Sequence, residues 1–546
     1  MSMKNIEQRL VFISLISIVL VISPNISFEP NALPKFLFLV PLSLIAGSFL
    51  ITRKSSIKIK LFKIPLLLVI SFVTSSLISF VLSSQSSWKQ LFGIQGRHLG
   101  LITYLCFIIF FLFSMFHSSL NLINTAMNAI RISGLISALL GIAQILGFNI
   151  YQGNNLQYGL GVGFLGNPNF QSALLGMSIV TCVSLLFDST KNKFYLFLQI
   201  ILTLVSLYGA NSTQGYALLI IGTFVVITLQ LYVRDFKKSL AAFLITGVGI
   251  FSFSLSAYLG RGPLAQYLYQ DSTTYRGDYW RAAKSMILDN RFFGLGFDSY
   301  RDNYRLYRDE LATDRRGPAV TADSPHNTIL DAGVNGGMTL LTINLLIILF
   351  IIYGFIKYIQ RNKVQNPIVF GLFATWVAYL AQAIISIGNI AISLWGWVMG
   401  GLLVGLEISS KNNLGFDFNK ARVNNNNFYK ITGGALAGMF ISGSYFAYDA
   451  NFASAFKSGN VKEIVSKVQS WPSDGYKIAM IVEILNKNNF PIDALNLARS
   501  SVEENSGVFE FWKAYYEIPG ISPEEKNKIL IKLRELDPNN KTLLIP

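Results

Sequence analysis

TYRGDYWRAAKSMILDNRFFGLGFDSYRDNYRLYRDELATDRRGPAVTADSPHNTILDAGVNGG, residues 274–337, is a polar, arginine-dense stretch set between long apolar runs. Nine arginines fall between positions 260 and 337, and acids nearly balance them. In so apolar a chain, this density points to the gripping of an anionic group at a membrane surface, with chemistry done on it.

The remainder of the chain sets the class. It has 546 residues, is 52% hydrophobic and 14% charged, and has a mean hydropathy of +0.46. Soluble domains carry about 25% charged residues, so most of this chain must face lipid. The net charge of +16 fits the excess of Lys and Arg in cytoplasmic loops of membrane proteins, and nucleic acid is not an expected partner. Cys106 and Cys182 both lie in apolar runs, offering neither a disulfide framework nor a metal site.

Apolar runs of about 15–22 residues recur over the first 450 positions. They predict spans near 10–23, 36–51, 64–83, 99–116, 127–148, 170–187, 194–208, 216–233, 240–259, 338–356, 368–387, 390–407 and 431–448. The first follows Lys4 and Arg9 like a signal peptide. Ser23-Pro24-Asn25 is a poor cleavage site, so the run is read as an anchor. One set of alternating loops carries Arg53, Lys54, Lys58, Lys60, Lys63, Lys191, Lys193, Arg234, Lys237, Lys238, Arg361, Lys363, Lys411, Lys420, Arg422 and Lys430. The opposite short loops carry only Lys35, Lys89 and Arg97. That asymmetry places the first set and the N-terminus in the cytoplasm. The domain expectation is spans with short loops over 1–259, an outer loop over 260–337, further spans over 338–448 and an outer helical tail over 449–546. Residues 412–427 read as a flexible cytoplasmic linker.

In the tail, helical spacing appears in Val461-Ile464-Val468, Ile478-Ile481-Ile484 and Ala494-Leu497-Ala498-Val502. Trp471-Pro472, Asn505-Ser506 and Asp537-Pro538 mark a weak period near that of tetratricopeptide helix pairs. The tail is expected to dock a protein partner rather than to react.

In the outer loop, residues 275–289 fit a helix with Arg276, Trp280, Ala283 and Ile287 on one stripe. Arg276 can snorkel to headgroups or bind a phosphate through its planar fork. Phe292-Phe293-Gly294-Leu295-Gly296 then breaks the helix. Arg301, Arg305 and Arg308 share a helical face, and Asp298, Asp302, Asp309 and Glu310 are spaced to pair with them. That predicts a solvated, ion-paired helix. Ser324-Pro325 reads as a helix opening, with Ser as N-cap and Pro at the first position. His326 would then lie in the first turn, where the helix dipole keeps it neutral, as a general base must be. The bland alternative is a histidine that is merely hydrogen-bonded. Two other outer loops look specific. GIQGRHLGL (93–101) holds Arg97 and His98 just before a span, and GVGFLGNPNF (161–170) offers Asn167 and Asn169, amides suited to sugar hydroxyls or to a helix-capping turn.

Taken together, the spans, Arg276-x-x-x-Trp280, the Gly-Leu-Gly turn, Ser-Pro-His326-Asn327 and distal Gly337 resemble the O-antigen ligase superfamily. That group includes Wzy-type polymerases and protein O-oligosaccharyltransferases. GIQGRHLGLITYL and LGNPNF are also similar to family patterns, although Leu340 stands where the ligase pattern wants Gly, Thr or Tyr. The resemblance implies an all-helical, GT-C-like polytopic fold of about 12–13 spans. It implies inverting glycosyl transfer without a metal or other cofactor, on the outer face of a bacterial inner membrane. The donor would be a glycan on undecaprenyl pyrophosphate, and the acceptor lipid A-core, another glycan or a protein hydroxyl. His326 would be the base and Arg276, with Arg97, the pyrophosphate cations. Asn167, Asn169, Trp280 and Asn327 would contact substrate. A lipid-linked sugar flippase is the reading from another class. It would need charges inside the spans, and Arg131 is the main exception.

The topology is testable. Cysteines introduced at Ser272 and Ser506 should both react with an impermeant thiol reagent in intact spheroplasts. Labelling of both only after membrane rupture would reverse the assigned orientation.

Overall fold

The computed structural model describes residues 6–52, 59–85, 87–148, 161–269, 271–363, 365–411, 425–470 and 472–543. All regular structure among them is helical. A helix lies over every run expected to span, and eight helices are long and apolar enough to cross a bilayer. Leu101–Phe116 and Lys193–Gly209 are shorter apolar helices. The chain is an all-helical, multi-pass membrane protein. Lys4, Arg53, Lys54, Lys58, Lys420, Arg422 and Trp471 lie outside the described residues, as does most of the expected 412–427 linker. The end of that linker already belongs to the Asn425–Ser458 helix.

Apolar periodicity makes the helices, and small residues let them approach. Asn425–Ser458 packs along Ala32–Thr52, and Ile390–Lys411 along Leu101–Phe116. At the second contact a Cβ on Gly401 would collide with the carbonyl oxygen of Phe111, so a close crossing requires glycine there. Lys237–Tyr258 is nearly all exposed, as expected of a helix covered by lipid.

The Thr328–Asn362 helix breaks at Gly336 and Gly337, and Gly337 has φ +67. A Cβ on Gly337 would lie 2.5 Å from the carbonyl oxygen of Arg291. The Gly-Leu-Gly turn runs through this break: Leu295 N–H donates to Val334 O (2.8 Å), Gly296 N–H to Asn335 O (3.1 Å) and Met338 N–H to Arg291 O (2.6 Å). The turn therefore stitches the end of Asp271–Asp289 to the base of the span.

Asp271–Asp289 buries Tyr279, Ala282, Ala283, Met286 and Ile287. The expected stripe is thus half right. Ala283 and Ile287 face inward, but Tyr279 takes the leading place, its ring packing edge-on against Tyr304 with centroids 5.7 Å apart. Trp280 is left 36% exposed.

The arginine triplet is not solvated. Arg305 and Arg308 are 5% and 2% exposed, and they pair with Glu510 and Asp537 of the tail. The guanidinium of Arg301 lies 3.4 Å from the centre of the Tyr476 ring, also in the tail. The expected local acids are used elsewhere: Asp302 binds Lys89, Asp309 binds Arg281 and Asp298 binds Arg97. The cause is the tail folding back over this face, which presents carboxylates more than two hundred positions away in sequence.

The tail stacks the helices Val461–Gln469, Gly475–Lys487, Pro491–Ser500, Phe509–Tyr516 and Pro523–Leu536 around Ile478, Ile481, Leu497 and Phe511. A buried charge chain bolts it to the membrane part. Lys477 Nζ is 2.7 Å from Asp449, Asp449 accepts from the backbone N–H of Glu29 (3.0 Å), and Glu29 is 2.9 Å from His98 Nε2. Burial opposes ionisation of both Glu29 and His98. Even so, the contact lowers the carboxyl's pKa and raises the imidazole's, so they stand as an ion pair. Removing one member of a buried pair costs about 3–5 kcal/mol, because the other charge is left uncompensated. Lys477→Met should therefore lower the Tm of the detergent-solubilised protein sharply. Lys487→Met, which removes an exposed pair with Glu483, should leave it nearly unchanged. Equal Tm values for the two variants would show that the chain does not bear on stability.

Candidate active site

Residues 317–327 lead into the Thr328–Asn362 helix and carry His326. The helix does not open at Ser324-Pro325. Asn327 is its N-cap, with Oδ1 accepting from the N–H of Ile329 (3.0 Å) and Leu330 (3.1 Å). Its amide side chain caps from an extended backbone, as Asn does well. Ser324 Oγ instead accepts from the N–H of His326 at 3.0 Å. His326 stands just outside the helix at φ +53, a conformation costly for a non-glycine residue.

The half-buried His326 ring stacks on Tyr279, with centroids 5.2 Å apart and planes 22° apart. Burial, and then the charges of Arg276, Arg97 and Arg316, lower its pKa to about 4. The expected neutrality is therefore present, but burial and three cations supply it in place of the helix dipole.

Among the described residues, four of the loop's nine arginines form ion pairs, and Arg261, Arg276, Arg291, Arg301 and Arg316 form none. Arg281 pairs with Asp278 and Asp309, Arg315 with Asp278, and Arg305 and Arg308 with the tail. Arg276 and Arg316 form no ion pair among the described residues. Arg276 donates to the hydroxyl of Tyr258, and its Nε is buried without a partner. Arg316 lies 4.3 Å from the centre of the Tyr275 ring and donates to the hydroxyl of Tyr279. Two guanidiniums without ion pairs thus bear on one neutral imidazole, and Tyr279 touches both the imidazole and Arg316. Such an arrangement can hold a diphosphate and take a proton beside it.

Arg97 is ion-paired. It is 5% exposed, with Nη2 2.7 Å from Asp331, Nη1 3.3 Å from Asp298 and Nη1 2.6 Å from the carbonyl oxygen of Asp323. It braces the site from beneath and acts on His326 through its charge. Asn167 caps Pro168–Leu185, its Oδ1 accepting from the N–H of Asn169 (2.8 Å), while Asn169 Oδ1 accepts from Ser212 Oγ (2.8 Å). The capping reading of that loop holds, and none of these bonds reaches the His326 loop. Trp280 shares a helix with Arg276 but is turned toward the exposed side. Sequence reasoning missed Arg316 and the Glu29–His98 pair. The doublet Arg315-Arg316 was the signal available, since adjacent helical residues point to different sides and one acid, Asp278, takes only one of them.

Leu99 and Thr328, neighbours of the site in sequence, also line an apolar cavity of about 70 Å³ walled by Phe107, Trp376, Tyr379 and Trp397. A larger open hollow, about 400 Å³, lies in the tail beside Lys462 and Asp493, remote from the loop cations. Among the described residues no group of three or more His, Cys, Asp or Glu is placed to hold a metal ion.

Residues 198–345 match the family model described as O-Antigen ligase. No curated protein matches the chain. The matched segment contains Arg276, Arg316, His326 and the Gly337 break, so the part of this membrane protein that carries the candidate site is similar to the O-antigen ligase family.

Proposed function

We propose that the protein is an inverting glycosyltransferase of the ligase or polymerase type that works on the outer face of a bacterial inner membrane. The donor is a glycan on undecaprenyl pyrophosphate, and the preferred acceptor is a hydroxyl of lipid A-core. Polymerisation of repeat units is the runner-up, and transfer to protein hydroxyls comes third. The observation that carries this reading is the neutral His326 set among cations, two of which, Arg276 and Arg316, have no carboxylate partner.

The chemistry follows from that geometry. His326 takes the proton of the acceptor hydroxyl as its oxygen bonds to the anomeric carbon from the side opposite the pyrophosphate. The anomeric carbon–oxygen bond to phosphate breaks, and its electron pair leaves with undecaprenyl pyrophosphate. Charge grows on the phosphate oxygens in this step, where Arg276 and Arg316 stabilise it more than in the ground state. The aromatic cavity under Leu99 and Thr328 offers apolar surface for the prenyl end. A flippase finds less support. Arg131 spends its guanidinium on Gln199 (2.6 Å), a local bond within the helix bundle rather than part of a charged path.

His326→Ala should lower turnover by about 10²–10⁴-fold, the usual contribution of a general base, with little change in donor binding. Arg276→Lys and Arg316→Lys should weaken donor binding and turnover together, because a point charge does not replace a planar fork. A lowered histidine pKa leaves the base form present above it and removes it below. Turnover should therefore persist in mildly acidic buffer and fall as the pH drops through about 4. Near-normal glycan transfer by His326→Ala at normal membrane abundance would sink the base assignment.

A further inference from the structure

The buried arginines of the outer loop are used inside the molecule, on the segment that leads to His326. Arg305 Nη1 is 2.5 Å from the carbonyl oxygen of Pro318, and its Nη2 is 3.2 Å from that of Ala319. Arg308 Nη1 is 2.9 Å from the carbonyl oxygen of Val320, and its Nη2 is 3.1 Å from that of Pro318. Three successive carbonyls are thus gripped by two guanidiniums.

Both guanidiniums converge on one carboxylate of the tail. Arg308 forks onto Asp537, Nη2 to Oδ2 at 2.6 Å and Nε to Oδ1 at 3.3 Å, and Arg305 Nη1 reaches Oδ2 at 3.2 Å. Glu510 accepts from Arg305 Nε and Nη2, both at 3.1 Å. Asn539 Nδ2 donates to the carbonyl oxygen of Arg308 at 2.6 Å. Asp537 is 1% exposed. Two buried cations this close would repel strongly without an anion between them, and Asp537 is that anion.

The gripped segment ends six residues before His326. Arg97 holds the carbonyl oxygen of Asp323 midway, and Asn327 caps the helix on the far side. His326 is therefore suspended between anchors, and the first of them is set from the tail.

We propose that Asp537, supported by Glu510, is a positioning residue for transfer at His326. Through Arg305 and Arg308 it holds residues 318–320 so that the imidazole stays against Tyr279 and beside Arg276 and Arg316. The inference rests on the reading of His326 as the base. The tail is then part of the active-site scaffold, whatever else it binds.

The test uses the full-length protein in detergent with lipid-linked donor. Asp537→Asn keeps the shape and removes the charge. Small misplacement of a catalytic group costs up to about 10²-fold, so kcat should fall by about 10- to 100-fold while the KM for donor stays within about twofold. His326 faces Tyr279 and Arg276 from Asp271–Asp289, Arg316 from Glu310–Arg316, and Arg97 from its own loop. Loosening it from these neighbours should move the acid limb of the kcat profile up from near pH 4 toward the ordinary histidine value of about 6.5. Asp537→Glu should restore part of both losses. Lys541→Ala, which breaks an exposed pair with Asp314 at the same border, should leave both unchanged. Trypsin should cut faster after Arg316 in Asp537→Asn. If Asp537→Asn does not accumulate, Glu510→Gln and Asn539→Ala are read by the same three measures, with smaller effects in the same direction. Wild-type kcat and acid limb at normal abundance would overturn the proposal, as would unchanged cleavage after Arg316. Faster cleavage together with an active His326→Ala would place the failure in the base assignment, and the positioning role would go with it.

Discussion

Arg97 holds together three parts of the chain that are remote in sequence, and the site can form only once they meet. Its guanidinium lies between Asp298, at the exit of the Gly-Leu-Gly turn, and Asp331, in the first turn of the long kinked helix, and it also binds the carbonyl oxygen of Asp323. A charge buried this deeply is costly unless carboxylates pair with it. The early outer loop, the turn and the histidine segment therefore stabilise one another through it. The broken helix at Gly336 and Gly337 makes this geometry available, because the turn can enter only where the helical ladder is interrupted.

The other arginines follow from the same electrostatic rule. Where a carboxylate is in reach the guanidinium builds structure, as Arg281, Arg305, Arg308 and Arg315 do. Arg276 and Arg316 sit against tyrosines instead. Burial, and then their charges together with that of Arg97, suppress protonation of His326. The positive φ of His326 adds local strain, which the anchors on either side hold in place.

The tail extends this logic beyond the membrane part. It is attached at two places by buried charge, the Lys477–Asp449 pair at the bundle and the Asp537 carboxylate at the outer loop. Attachment at both ends limits how far the histidine segment can drift. A preorganised site gains from that restriction, since dipoles and charges fixed before reaction need no rearrangement during it.

The apolar runs by themselves determined the all-helical, multi-pass character of the protein, because a helix must span roughly 30 Å of hydrocarbon and satisfy its own backbone. The helix that carries Arg276 and its break at Gly294-Leu295-Gly296 were also legible, since each rests on local spacing and residue chemistry. Only the tertiary structure decided that Asn327 and not Ser324 caps the helix, that Trp280 turns outward, that Arg305 and Arg308 are buried under the tail, and that Arg316 rather than Arg97 is left without a carboxylate. The physical reason is the range of the interaction. Helix periodicity is written over a few residues, whereas the neutralisation of a guanidinium depends on where Asp298, Asp331 and Asp537 arrive after folding, and that meeting leaves no local pattern in the chain.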